Sequence, residues 1–244
     1  MSQSGKFHII FMAHSLGNEE KDLRFRTHII ERLSPLIAPH TCDIGYLSGA
    51  FPLSNIHQNH TDSQIIHFPL LLTKGYIYSV SWPKTLQDLL PSWSVESIKK
   101  SFIPPLVDSP YFFDFLNENL TQSIQDNHLD ESQTECLLVA HGHPNNPPQP
   151  SLETLWHELR TKHHFHEDSS LCFIKQTPYL HEKLSHVNDH VKVILSLFIT
   201  EGYHFVSDIP HGNQHAYITL PNLAQYREFE SFLARTILAF IKTI

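Results

Sequence analysis

Three cysteines in 244 residues are too few and too scattered for a covalent framework. Cys42, Cys136 and Cys172 are odd in number and form no CxxC pair, which argues against a disulfide scaffold or a zinc knuckle and points to a reducing cytoplasm. Long apolar runs are also missing. The longest, such as Val193–Ile199, falls far short of the roughly 20 residues a membrane-spanning helix needs. Phe7–Ala13 is interrupted by His8 and is too short and polar for a secretory leader, so it reads as a first strand. Basic charge is scarce as well. With 17 Lys and Arg against 25 Asp and Glu, the formal charge is −8, and no basic face is left for a nucleic acid.

What remains is a chain of 41% hydrophobic and 17% charged residues, enough apolar mass for a sizeable globular core. It carries 20 histidines. Histidine is the commonest metal ligand and the side chain whose ordinary pKa lies nearest neutrality. Abundance alone assigns nothing; position decides.

Laid against itself, the chain repeats at a single offset of 127 residues. His14, at the end of Ile9-Ile10-Phe11-Met12-Ala13-His14, falls on His141 in Leu137-Leu138-Val139-Ala140-His141. Tyr46-Leu47 falls on Phe173-Ile174, Leu70 to Tyr76 on Leu197 to Tyr203, and Pro83 on Pro210. One ungapped shift linking four separated segments indicates a duplication, and a period this long means two domains rather than a solenoid. The expected division is 1–125 and 126–244, with a polar, acidic linker at about 120–133.

Within the second copy, strands are expected at Cys136–Ala140, Leu171–Ile174, Val191–Ile199 and Ala216–Leu220. A helix begins near Ser151, with Leu152, Leu155, Trp156 and Leu159 at helical spacing. Others are expected at Pro178–His190 and from Gly202, and an amphipathic helix over Gln225–Ile244 closes the chain. The first copy gives the same order, with a longer insertion after Pro83. Strands alternating with helices predict an α/β fold of two similar domains, each a roughly four-stranded parallel sheet flanked by helices.

In such sheets, ligands bind beyond the carboxyl ends of the strands. His141 lies directly after the first strand of the second copy, and His204 lies just beyond the third, so both belong to the same sheet edge. Two imidazoles there can bind a divalent transition metal and leave positions open. The matching pair in the first copy is His14 and Ile77, and isoleucine cannot bind metal.

Leu-Leu-Val-Ala-His-Gly, together with Leu197–Pro210 and its Gly-x-His-x-x-x-Asp-Ile-Pro stretch, closely resembles the class II chelatases of the CbiX/SirB type. The resemblance covers most of the chain as two halves. It implies two flavodoxin-like, chelatase-like domains facing one another across a cleft. It also implies insertion of Co2+, Fe2+ or Ni2+ into sirohydrochlorin or a related tetrapyrrole, with the metal as substrate and no organic cofactor. The metal-binding and catalytic roles carry over to His141 and His204. His143 makes a His-x-His with His141 and is a third ligand or a metal-delivery position. Lys175 suits a polycarboxylate substrate; His14 is either a remnant or a contact to the tetrapyrrole. The family's carboxylate after the second strand is replaced by Lys175-Gln176, and by Ser48-Gly49 in the first copy, with Glu182 and Glu201 as possible substitutes. Asp208 is expected to cap or orient a helix end, or to support His204. His163, His164 and His166 sit at a helix end, where the dipole accounts for them, and His211 and His215 are weak candidates for lining a cleft. A non-catalytic metal or tetrapyrrole carrier is the alternative function, and a purely structural paralogue a third. The expected partner is the small-molecule tetrapyrrole, with no nucleic acid and no membrane, and the chain acts as a monomer or homodimer.

Overall fold

The computed structural model describes residues 6–47, 49–60, 64–186, 189–210, 213–214 and 217–244. His211 and His215 lie outside them. The chain divides into two compact units: Met1–Pro110 with Glu230–Ile244, and Tyr111–Phe229.

Unit one is built on β1 (Phe7–Ala13), α1 (Glu19–Ile37), β2 (Thr41–Tyr46), α2 (Leu53–Gln58) and β3 (Gln64–Pro69). Two helices follow, α3 (Trp82–Leu89) and α4 (Val95–Lys100). Unit two begins with α5 (Phe112–Asp126) and continues as β4 (Thr134–Ala140), α6 (Pro150–Lys162), β5 (Ser170–Phe173), α7 (Leu180–Ser185) and β6 (Val191–Ser196). It ends with α8 (Tyr203–Asp208) and the short strands β7 (Asn213–Gln214) and β8 (Tyr217–Thr219). The last helix, α9 (Phe229–Ile241), belongs to unit one except for its first residue.

The repeat is exact at two strands of each sheet. β1 and β4, and likewise β3 and β6, coincide at the shift of 127. Every residue of β4 is buried, as an apolar strand covered on both faces requires. Strand order is β2-β1-β3 in unit one and β5-β4-β6-β8-β7 in unit two. All pairings are parallel except the β7–β8 hairpin. With β8 counted as its fourth parallel strand, unit two has the 2-1-3-4 order of flavodoxin-like sheets, whose direction of winding reverses between the first and third strands, and unit one keeps the first three of these.

Unit one departs from the expected four strands. Its fourth strand is reduced to a single parallel bridge, His67 to Phe102. Two backbone hydrogen bonds hold it, His67 N to Ser101 O and Ile103 N to His67 O, both 2.8 Å. The cause lies in the insertion. Leu106 N reaches Leu71 O as Leu223 N reaches Phe198 O, so the shift falls from 127 (Leu71 to Phe198) to 117 (Leu106 to Leu223). Unit one therefore spends ten more residues on helices where unit two forms a strand pair.

The expected linker and division also differ from the observed units. Residues through Asp126 are helical, with Phe115, Leu116, Leu120 and Ile124 buried at helical spacing, and they belong to unit two. In exchange α9 packs in unit one, where Glu230 meets His28 at 2.9 Å and Arg32 at 3.4 Å. Thr236 and Ser109 share a hydrogen bond of 2.7 Å in the same unit.

A histidine cluster that the sequence reading did not single out lies on one face of unit one's sheet. His8 and His67 fall on the face that also carries Ile10 and Met12, and His57 comes from α2. Ser101 Oγ donates to Ile98 O at 2.7 Å, so it accepts from His67 Nδ1 at 2.6 Å. His67 Nε2 is then the acceptor for His57 Nε2–H at 3.2 Å. This chain of bonds requires a neutral His67 ring, since a protonated one would have no acceptor at Nε2. Burial pulls His67 down to about 3 and His57 and His8 to about 4, and His60, stacked on His8 at 3.5 Å, adds to the effect on the latter two.

In the unfolded chain the same rings titrate near 6.5. Below that value the unfolded state takes up protons that the folded state refuses, so stability declines as pH falls from about 6.5 and levels off once the folded rings protonate. The expected loss by pH 4 is on the order of a few kcal/mol. Urea titrations followed by tryptophan fluorescence test it, because Trp93 stands 6.0 Å edge-on from His67. A midpoint unchanged between pH 7 and 4 would refute this account.

Candidate functional site

In unit two the winding reverses between β4 and β6, so the crevice at their carboxyl ends is the place for a ligand. Backbone bonds fix the loops that leave this edge. Ile174 N donates to Ala140 O at 3.1 Å, Lys175 N to His141 O at 2.9 Å, and Leu197 N to Val139 O at 2.8 Å. His141 thus stands directly after β4, partly open to solvent.

His204 lies in the first turn of α8, a helix too short to persist on its own. Packing holds it. Phe205 and Ile209, 5% and 2% exposed, enter the cluster of Leu137, Val139, Cys172, Leu180 and Ile194. Each such side chain contributes roughly 1.5–3 kcal/mol by burial. Tyr203 and Val206 stay on the solvent side. Between these faces His204 is half-buried, and its ring centroid lies 4.5 Å from that of His141, edge to face.

Both rings are held through Nδ1. His141 Nδ1 lies 2.8 Å from the Gly142 carbonyl. A carbonyl only accepts, so Nδ1 carries the proton and Nε2 keeps its lone pair. His204 Nδ1 lies 2.6 Å from Asp208 Oδ2, one helical turn on. His141 has its pKa lowered chiefly by burial of the ring, with the Gly142 hydrogen bond opposing. The charges of His204 and Lys175 lower it further, and Asp208 raises it. A neutral pair of imidazoles this close can hold one divalent transition metal and leave its remaining positions open.

The other candidates have surroundings of their own. His143 is tied into its own loop: its Nδ1 accepts from Asn145 N at 3.2 Å, and its backbone N–H donates to Gln176 Oε1 at 3.0 Å. Among the described residues no group of three His, Cys, Asp or Glu side chains can hold a metal. Lys175 is exposed at the end of β5, and its charge reaches His141. Glu201 takes a hydrogen bond from Gln225 at 2.8 Å. His163 is bound by Glu131 at 2.7 Å and Asn117 at 3.0 Å, which makes it a structural residue. In unit one His14 is exposed, with its ring 6.2 Å from that of Trp82, and Ile77 packs against that unit's core. The sequence reading gave no role to Gly142 or Gln176 in holding these loops. The available signal for the first was a glycine beside a histidine at a strand end.

Residues 135–231 match the family model CbiX. No curated protein matches the sequence. Solved structures share the fold over nearly the whole chain. CbiX, described as the terminal enzyme for biosynthesis of siroheme in denitrifying bacteria, superposes with a TM-score of 0.75 at 18% identity, covering 96% of this chain and 98% of its own. SirB from Bacillus subtilis with Fe3+ gives 0.69 at 13% identity, over 97% and 96%. The sirohydrochlorin chelatase SirB from Bacillus subtilis subspecies spizizenii, in complex with cobalt, gives 0.68 at 12%, over 98% and 96%. At these identities the likeness is one of fold, and the residues that match the family model contain both histidines of the pair.

Gly142 is the tightest point of this edge. Its φ is +74°, and an added Cβ would lie 2.7 Å from Gln176 Cβ and 2.8 Å from Phe173 Cβ. Gly142→Ala is therefore expected to cost about 1–3 kcal/mol, from backbone strain and the clash together. Thermal unfolding measures the loss, and an unchanged melting temperature would show that the loop yields freely.

Proposed function

We propose that the protein is a sirohydrochlorin chelatase, inserting Co2+, Fe2+ or Ni2+ into sirohydrochlorin or a related tetrapyrrole at His141 and His204. The observation that carries the reading is the close pair of imidazoles at the switch point of a sheet whose residues match the CbiX family model. Insertion requires a metal held above the ring and two pyrrole N–H protons removed. Two neutral nitrogens hold the metal loosely enough to hand it on, where four ligands would trap it. A histidine released from the metal can accept a proton as general base. Lys175 offers its ammonium to the substrate's carboxylates, which a chain of net charge −8 must meet with local positive charge.

Three buried, free thiols suit a reducing cytoplasm, where we place the protein as a monomer or homodimer. Among the described residues no helix is long and apolar enough to cross a membrane. A second reading, a metal or tetrapyrrole carrier without turnover, is favoured by one observation: Lys175 and Gln176 follow β5 where a proton-handling carboxylate was expected.

An insertion assay separates the two. Sirohydrochlorin mixed with Co2+, Fe2+ or Ni2+ is expected to change its absorption spectrum faster with protein than without. His204→Ala is expected to slow this at least tenfold while leaving the fold intact. Binding of metal or tetrapyrrole with no acceleration for any of the three metals would establish the carrier instead.

A further inference from the structure

The hydrogen bond between His204 and Asp208 has an internal control in the duplication. At the shift of 127, Ile77 stands for His204, Ser81 for Asp208 and Ser15 for Gly142. The copy without the histidine also lacks the carboxylate and the glycine, although it retains Gly75, Tyr76 and Pro83 of the same stretch. Ser15 there bonds Asp22 at 2.6 Å and Gly17 N at 3.1 Å, a different loop arrangement.

Asp208 is also poorly placed to serve the fold. It is the last residue of α8, where the helix dipole is negative and a carboxylate is disfavoured. It is only partly buried, so it fills no core position. What it does have is His204 Nδ1 at 2.6 Å, one turn back on the same helix. An ionised carboxylate only accepts, so the ring must donate.

We propose that Asp208 is the positioning residue of this site: it takes the Nδ1 proton of His204, fixes the ring, and presents the Nε2 lone pair as a metal donor. The Gly142 carbonyl does the same for His141. One ring is held by the main chain of its own loop and the other by a side chain of its own helix, and among the described residues neither Nε2 has a hydrogen-bond partner, which leaves both to one ion. Outer partners of this kind set the tautomer and basicity of a ligating histidine. The inference rests on the metal-binding reading of the pair, and it assigns Asp208 no contact with metal or substrate.

The test uses Co2+ alone and the full chain. Asp208→Ala is expected to weaken Co2+ binding by about 10- to 100-fold in calorimetric titration. Asp208→Asn, which keeps the shape and a weaker acceptor, loses less. Long-range proton–nitrogen spectra of the metal-free protein supply a readout that a merely structural role would not move. His204 is expected as the Nδ1–H tautomer in the wild type and to shift toward Nε2–H in Asp208→Ala, while His141 keeps its pattern. If both variants bind Co2+ like the wild type and His204 keeps its tautomer, the proposal is wrong. Should Asp208→Ala not fold, Asp208→Asn decides by the same two measurements. A wild type that takes up no Co2+ would overturn the metal reading, and the spectra would then judge the hold of Asp208 on His204 by themselves.

Discussion

The parallel ladder does not stop where the strands stop. Carbonyls at the end of the central strand accept one more hydrogen bond from each neighbouring loop, Ala140 from Ile174 and Val139 from Leu197 in unit two, Ala13 from Leu47 and Met12 from Leu70 in unit one. Buried backbone groups must be paired, so the chain has little choice about where it turns. Every loop that leaves this edge starts at a fixed height above the sheet. The approach of His141 and His204 to 4.5 Å depends on that constraint more than on any contact between the rings themselves.

The two units show how far one scaffold can diverge once this ladder is kept. Unit two keeps an open pair of histidines and spends its fourth-strand region on a short hairpin. Unit one loses the second histidine and adds ten residues of helix and turn. Three of its histidines, His8, His57 and His67, are turned inward, and His67 makes bonds that only a neutral ring can make. The register position of His8 and Ile65 is held in unit two by Glu135 and Lys192, a buried ion pair at 3.4 Å. Such interior exchanges change what each unit tolerates in pH without touching the carboxyl edge.

Much of this was legible in the sequence because strands buried on both faces read as continuous apolar runs, and an ungapped shift preserves them. The placement of His141 and His204 followed from their positions just past two such runs. The ring partners did not follow. His204 and Asp208 stand four apart on a helix, a spacing compatible with capping, with solvent or with the bond observed. The bond between His141 and the Gly142 carbonyl depends on a positive φ that sequence does not display. The His57–His67 contact joins a helix to a strand, so neither run reveals it alone. Helix membership was lost for a related reason: the apolar stripes of α5 and α9 announce that each is covered, and say nothing of which sheet covers it.

That exchange of helices has a consequence in time. The last helix of the first repeat, α5, is part of unit two, and the last helix of the second repeat, α9, is part of unit one. Unit two is therefore one unbroken stretch, Tyr111–Phe229, whereas unit one lacks a structural element until α9, beyond unit two, is made. On the ribosome, the half that is translated first is the half that is finished last.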